Sequence, residues 1–218
     1  MNYILNSAYW NLSDPTSIPN LFIGHVAITL VSVVLGFIIA FAISLVVMRY
    51  ARAYVPTTTI AGIIYTLPSL AFMAFLIPFT GLSPATVIIP LVLYTQIVLI
   101  RNIVAAIRAV DPALIEVGRA MGMNTTQLQL RVMLPLALPV IVAGLRVATV
   151  TTIGIASIAP LFGVEDLGYL IFQGINFSYS DQVLAGVILV SALAVGVDLL
   201  LLGLQALLSK GRSLPSAA

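Results

Sequence analysis

Five stretches of this chain run for 17 residues or more with hardly a charge: Leu21–Met48, Thr57–Phe79, Pro84–Ile100, Leu136–Pro160 and Val183–Leu208. A helix of about 20 apolar residues is long enough to cross a bilayer. Inside lipid the helix satisfies its own backbone polar groups, so that is the form such segments take. The composition agrees. The chain has 9 basic and 7 acidic residues among 218, and 61% of it is hydrophobic. Soluble domains carry roughly 25% charged residues. The pattern predicts an all-α membrane protein with five transmembrane helices. With no cysteine, disulfides, thiolate metal sites and a cysteine nucleophile are excluded.

The basic residues set the expected orientation. Arg49 and Arg52 follow the first span, Arg101, Arg108, Arg119 and Arg131 lie between the third and fourth, and Lys210 and Arg212 follow the fifth. In a five-span arrangement these eight fall on one side, which the positive-inside rule makes the cytoplasm. The other side receives Asp14, Glu165, Asp166 and Asp181 and no basic residue. The N-terminus is expected outside and the C-terminus inside. Residues 1–20 read as an external tail, 21–208 as the transmembrane domain and 209–218 as a cytoplasmic tail. The net charge of +2 lies in membrane-flanking loops, which excludes nucleic acid as a main partner. The first 20 residues lack the basic start and small-residue cleavage site of a signal peptide. Tyr3, Tyr9 and Trp10 suit the lipid interface. His25, the single histidine, sits at the start of the first span and reads as an interfacial residue rather than a ligand.

Two loops are long enough to act. In 101–131, Asp111 is a helix N-cap, Pro112 suits the first helical position and Gly122 supplies a left-handed stop. Leu114, Val117 and Met121 recur between them at helical spacing, giving a short amphipathic helix with a docking face. Asn124 with Gln127 then makes a capping arrangement for a second helix that leads to Pro135, where the fourth span is expected to begin. The outer loop, 161–182, is broken by Gly163, Gly168 and Gly174 yet apolar between them. It reads as a re-entrant or interfacial helix, or as an ordered outer cap.

Chemistry for catalysis is missing. There is no phosphate-binding loop, no H-E-x-x-H and no histidine cluster, so no metal site and no catalytic residue is expected. Energised work would draw on another subunit. Two charges do lie within spans. Arg146 and Asp198 both fall roughly 15 Å from the same membrane face at 1.5 Å per residue. A lone charge at that depth is costly, so an ion pair is expected, with a place on a substrate path as the alternative. The second span carries Gly62, Pro68 and Pro78, which permit kinks. Tyr65, Phe72 and Phe79 form an aromatic stripe, with Tyr94 in the next span. Such a stripe reads first as packing; in the alternative, Tyr65, Pro68, Phe72 and Tyr94 are the candidate pathway residues, since aromatic faces suit a cation.

The loop sequence Glu116-Val-Gly-Arg-Ala-Met-Gly122, followed after nine residues by Val132-Met-Leu134-Pro135, resembles the cytoplasmic signature of permease subunits of ATP-binding-cassette importers. Val117 and Gly118 stand where that signature has two alanines, while Glu116, Gly122 and Leu134-Pro135 keep its spacing. The likeness extends from about Gly62 to Gly174 and is greatest to the osmoprotectant permeases, which import glycine betaine, choline or carnitine. The five-span methionine permeases are the next alternative, and an autonomous channel or secondary carrier a more remote one. The resemblance implies a type I importer fold and a prokaryotic plasma-membrane location. It also implies a second permease subunit, two ATPase subunits that use the ATP and magnesium, and an external solute-binding protein. Leu114, Glu116, Val117, Gly118, Ala120, Met121, Gly122, Leu134 and Pro135 would then couple to the ATPase. This chain would hold no cofactor.

Overall fold

The computed structural model describes residues 2–210; Arg212 and the rest of the 211–218 tail lie outside the described residues. The helices in chain order are α1 (Asn2–Leu5), α2 (Ile18–Arg49), α3 (Tyr54–Thr66), α4 (Ser69–Thr80), α5 (Pro84–Arg108), α6 (Pro112–Ala120), α7 (Thr125–Leu128), α8 (Leu134–Ala156), α9 (Gly168–Asn176) and α10 (Ser180–Ser209). A π-turn, Gln129–Met133, joins α7 to α8, so 125–156 runs as a single apolar helix of 32 residues. Among the described residues, four helices are long and apolar enough to cross a membrane, and five if the bent pair α3 and α4 counts as one span.

The centre of the bundle is α5, packed against α2, α3, α4 and α8. Without a hydrophobic drive between helices in lipid, close approach at small residues holds such bundles together. Gly36 of α2 lies against Thr95 of α5, and Gly144 of α8 against Asn102 of α5, each with no room for a Cβ. At the first crossing Gln96 Nε2 donates to the Gly36 carbonyl at 3.1 Å and to the Val92 carbonyl at 2.8 Å. Towards the arginine-rich end, Val47, Leu99, Ile103, Ile107 and Ile141 form the main core. Two smaller cores, around Met73, Leu91 and Phe162 and around Leu21, Ile153 and Leu170, close the opposite end.

Three element boundaries differ from the sequence expectation. The third span does not stop at Ile100. It continues through Arg101, whose side chain is exposed, to Arg108, because Ile103, Val104 and Ile107 carry the buried face onward while a long cationic side chain can reach water from a helix flank. The second span is not a kinked rod but two helices bent by 93°, since Leu67 and Pro68 are both extended (ψ 133° and 126°) and a residue before proline is pushed out of the helical region. Finally, Pro135 sits in the first turn of α8, as expected, but the apolar helix begins earlier, at Thr125, because α7 runs into α8 without a break. Pro135 follows the π-turn, whose wider winding accommodates a ring that would clash with the carbonyl four residues back.

Gly144→Ala is expected to destabilise the fold by about 1–3 kcal/mol through overpacking, because the new methyl collides with Asn102. Gly154→Ala, ten residues on with nothing within 4 Å of the added Cβ, is expected to leave stability unchanged. Thermal unfolding of both variants in detergent checks the contrast.

Candidate functional site

At the arginine-rich end, α6 stands out from the bundle as a rigid short helix. Asp111 Oδ1 caps it by accepting from the Ala113 amide at 2.8 Å. The helix closes with the Met123 amide donating to the Gly118 carbonyl and the Gly122 amide to the Arg119 carbonyl, a turn that puts Gly122 at φ 78°, where glycine costs least. Asn124 and Gln127 form a reciprocal capping box at the start of α7. Gly118 is buried against the Leu128 side chain, whose Cδ1 would lie 2.6 Å from an added Cβ. Leu128 therefore fills the space that a methyl at this position would take, which accounts physically for a glycine where the signature has alanine. On the other side Val117 and Met121 are 56% and 71% exposed. Glu116, Arg119 and Ala120 are exposed too, and Leu114 is half-buried at the edge. Leu134 and Pro135 lie half-buried beneath, at the start of α8. One face of α6 is thus fixed to the bundle and the other presents apolar side chains with a carboxylate beside them.

Of the aromatic candidates, Tyr65, Phe72 and Tyr94 come together. The Tyr94 ring meets each of the others edge-on at 6.0 Å, and its hydroxyl donates to the Leu67 carbonyl at 2.9 Å. Tyr94 therefore holds the break between α3 and α4 at the residue before Pro68. It is buried, whereas Tyr65 and Pro68 are exposed and Phe72 is half-buried. Phe79 does not join this group. It is 74% exposed and packs on Phe75 with ring centres 5.7 Å apart.

Arg146 and Asp198 face each other between α8 and α10. The guanidinium donates through Nε to Oδ1 at 3.0 Å and through Nη2 to Oδ2 at 2.9 Å, the two-pronged geometry that makes such pairs strong. Its Nη1 also donates to Gln205 Oε1 at 3.0 Å. Gln205 was not read from the sequence, although it lies seven residues beyond Asp198 and so on the same face of α10.

The largest departure concerns His25 and Asp166. Sequence reasoning placed the histidine at the lipid interface and the aspartate among the charges on the outer side. Both are completely buried, with Nδ1 and Oδ2 2.9 Å apart. His25 Nε2 lies 3.1 Å from the Ile153 carbonyl of α8, and Asp166 Oδ1 accepts from the Gly168 amide at 2.7 Å. The reason is the fold of the outer loop, which returns over the end of α2 and carries Asp166 down onto it. The segments are more than 100 residues apart in the chain, so no local pattern reveals the contact. A carbonyl can only accept, so Nε2 carries a proton. Burial pushes the Asp166 carboxyl above its ordinary range, with His25 and the Gly168 amide opposing that rise in part.

In the first 20 residues, Tyr3 and Tyr9 stack on each other, rings 3.9 Å apart and 13° from parallel, and pack with Tyr169 onto the bundle. Trp10 is 47% exposed.

These features match a known architecture. Residues 32–213 match the model of the family described as binding-protein-dependent transport system inner membrane component. The chain is 37% identical over 177 residues to the choline transport system permease protein OpuBB of Bacillus subtilis, covering 81% of this chain and 82% of that one. It is 37% identical over 174 residues, 80% of each chain, to the carnitine transport permease protein OpuCB of Listeria monocytogenes. Its fold is like that of the MetNI methionine transporter in inward-facing conformations, with a TM-score of 0.75 at 22% identity, covering 85% of this chain and 93% of that one. The protein is a multi-pass membrane permease with the type I importer fold. The chain belongs to the family of binding-protein-dependent transport system inner membrane components.

Two outcomes test the contacts between helices. Arg146→Leu or Asp198→Leu alone is expected to lower the amount of folded protein in the membrane roughly tenfold, since each strands a charge in the bundle. The double variant recovers most of it, and a double variant worse than both singles would refute the pairing. Asp166→Ala strips partners from His25 and Gly168, costing about 1–3 kcal/mol, while Asp166→Asn can still accept from Gly168 and donate to Nδ1 and is better tolerated. Because the folded carboxyl is raised, its contribution to stability is full below the ordinary aspartate range and is lost as pH rises through the raised value. Melting temperature against pH is expected to lose that component in Asp166→Asn.

Proposed function

We propose that this chain is the membrane subunit of an importer that moves a small quaternary-amine osmoprotectant such as choline, carnitine or glycine betaine into the cell. Two permease subunits, identical or paralogous, form the path, two cytoplasmic ATPase subunits supply the energy, and an external binding protein delivers the solute. The single observation that carries this reading is α6. A capped helix with an exposed apolar face is suited to a groove on a partner, and it lies within the signature segment at the end of the bundle that holds the arginines. The solute class is supported by the 37% identity to choline and carnitine permeases, whereas the likeness to the methionine transporter is one of fold.

In this reading ATP binds and is hydrolysed in the partner, and this chain contributes the lever. Val117 and Met121, with Leu114 at the edge, bury apolar surface in the partner's groove and Glu116 adds a polar contact. Gly118 and Leu128 fasten the helix to α7, so that a rotation of α6 is passed to α8 rather than absorbed in a loose loop. The π-turn before Leu134-Pro135 and the break at Leu67-Pro68 are the two places where the bundle can bend without breaking a regular helix. Arg146, Asp198 and Gln205 hold α8 to α10 while it does so.

The test is uptake of labelled choline, carnitine and betaine by cells carrying the whole transporter. Met121→Asp or Gly122→Asp is expected to cut uptake at least about tenfold, the equivalent of roughly 1.4 kcal/mol of lost coupling, while the protein stays in the membrane at normal level. Unchanged uptake in both variants would remove α6 from the mechanism. Uptake of methionine in place of the quaternary amines would overturn the solute class.

A further inference from the structure

At the end of the bundle away from the arginines lies a cavity of about 770 Å³ between the N-terminal segment and the junction of α9 with α10. Among its eleven described lining residues five are aromatic, Tyr3, Tyr9, Tyr169, Phe177 and Tyr179, in a chain that is 8% aromatic. Among the described residues of the lining, Asp181 is the one charged side chain, and no lysine or arginine is found there. A cation would meet a carboxylate and the negative faces of aromatic rings, the combination that binds quaternary ammonium groups.

Two further observations mark the cavity as built rather than incidental. Ser178 has φ 58°, the one non-glycine residue with positive φ among the described residues. The turn it makes stacks Phe177 on Tyr179, ring centres 6.1 Å apart, and sets both at the rim. Strained residues of this kind persist where the surroundings over-determine them, often at ligand sites. The phenol of Tyr3 is pushed up to about 12, first by burial and then by Tyr9, Tyr169 and Asp14. Amide and hydroxyl groups of Asn6, Gln173 and Ser180 complete the lining and can serve a polar tail.

We propose that this aromatic cup, formed by Tyr3, Tyr9, Tyr169, Phe177 and Tyr179 with Asp181, is a weak binding site for the methylated ammonium group of a small organic cation or zwitterion. For its ligand class the inference rests on the function proposed above, and it adds a site on the permease itself at the face where solute arrives. The cavity is much larger than one such head group, so the ligand keeps part of its water and binds loosely, as a station on a path requires.

Titration of the full-length permease in lipid nanodiscs tests the proposal, read by the fluorescence of Trp10. This is the chain's single tryptophan; it follows Tyr9 and donates from Nε1 to the Ile4 carbonyl at 2.7 Å, so it reports on the N-terminal wall. Choline is expected to saturate with a dissociation constant on the order of 1 mM, and its neutral tert-butyl isostere to give no saturable response. Tyr169→Leu and Tyr179→Leu should each weaken choline about tenfold, while Tyr169→Phe, which keeps the ring, should bind nearly as the parent. Asp181→Asn should weaken it severalfold. An equal response to the neutral isostere, or unchanged binding in the leucine variants and in Asp181→Asn, would overturn the cup. If the whole transporter takes up choline while the cup shows no binding, the cup falls and the transport reading stands. If the transporter carries no quaternary amine while tetramethylammonium still titrates with the same dependence on the rings, the transport reading falls and the cup stands.

Discussion

The rest of the structure depends on how closely α5 can approach its neighbours. In lipid, burying a leucine against a leucine gains little, so contact must come from backbones brought near one another. Gly36 and Gly144 provide two such crossings, at Thr95 and, two turns further along α5, at Asn102, and Gln96 strengthens the first by donating to the Gly36 carbonyl. With α2 and α8 held there, α10 packs on α8 and the bent pair α3 and α4 packs on the remaining side of α5. The bend is itself tied to α5 through Tyr94 and the Leu67 carbonyl. Position along α5 thus decides which parts of the bundle are fixed.

A chain with so few charges uses them sparingly. At the arginine-rich end they flank helices, and Arg108 lies over the Tyr54 ring at 4.9 Å, joining the end of α5 to the start of α3. Within the bundle, Arg146 and Asp198 neutralise one another and engage Gln205. At the far end His25 and Asp166 bind the outer loop to α2 and, through the Ile153 carbonyl, to α8. Each of these charges is matched across elements, which locks helices in register at places where apolar packing alone would let them slide. That is compatible with a protein whose function requires motion, because the freedom is left elsewhere: at the break before Pro68, at the π-turn and in the exposed face of α6.

Much of the candidate site was legible in the chain. The capping residues Asp111, Asn124 and Gln127, the stop at Gly122 and the apolar spacing of Val117 and Met121 are local features, and local hydrogen bonds decide them. Arg146 and Asp198 could be paired because hydropathy sets their depth and opposite sign does the rest. The aromatic stripe was only partly informative. Heptad spacing puts Tyr65, Phe72 and Phe79 on one face of a continuous helix, but a 93° bend separates Phe79 from the others, and the stripe ends where the helix does.

The sequence by itself determined the class of fold, the number of apolar segments, the short capped helix and the membership of a permease family, because each follows from composition, periodicity or signature spacing within some tens of residues. Only the tertiary structure decided that His25 and Asp166 meet, that α5 runs on past Arg101, that Gly118 is a seat for Leu128, and that five aromatic residues from two ends of the chain line one cavity. Those are contacts between segments far apart in sequence, and they exist because the close glycine crossings and the return of the outer loop over α2 bring the segments together. Hydropathy tells a side chain how deep to lie; it does not tell it which neighbour it will have there.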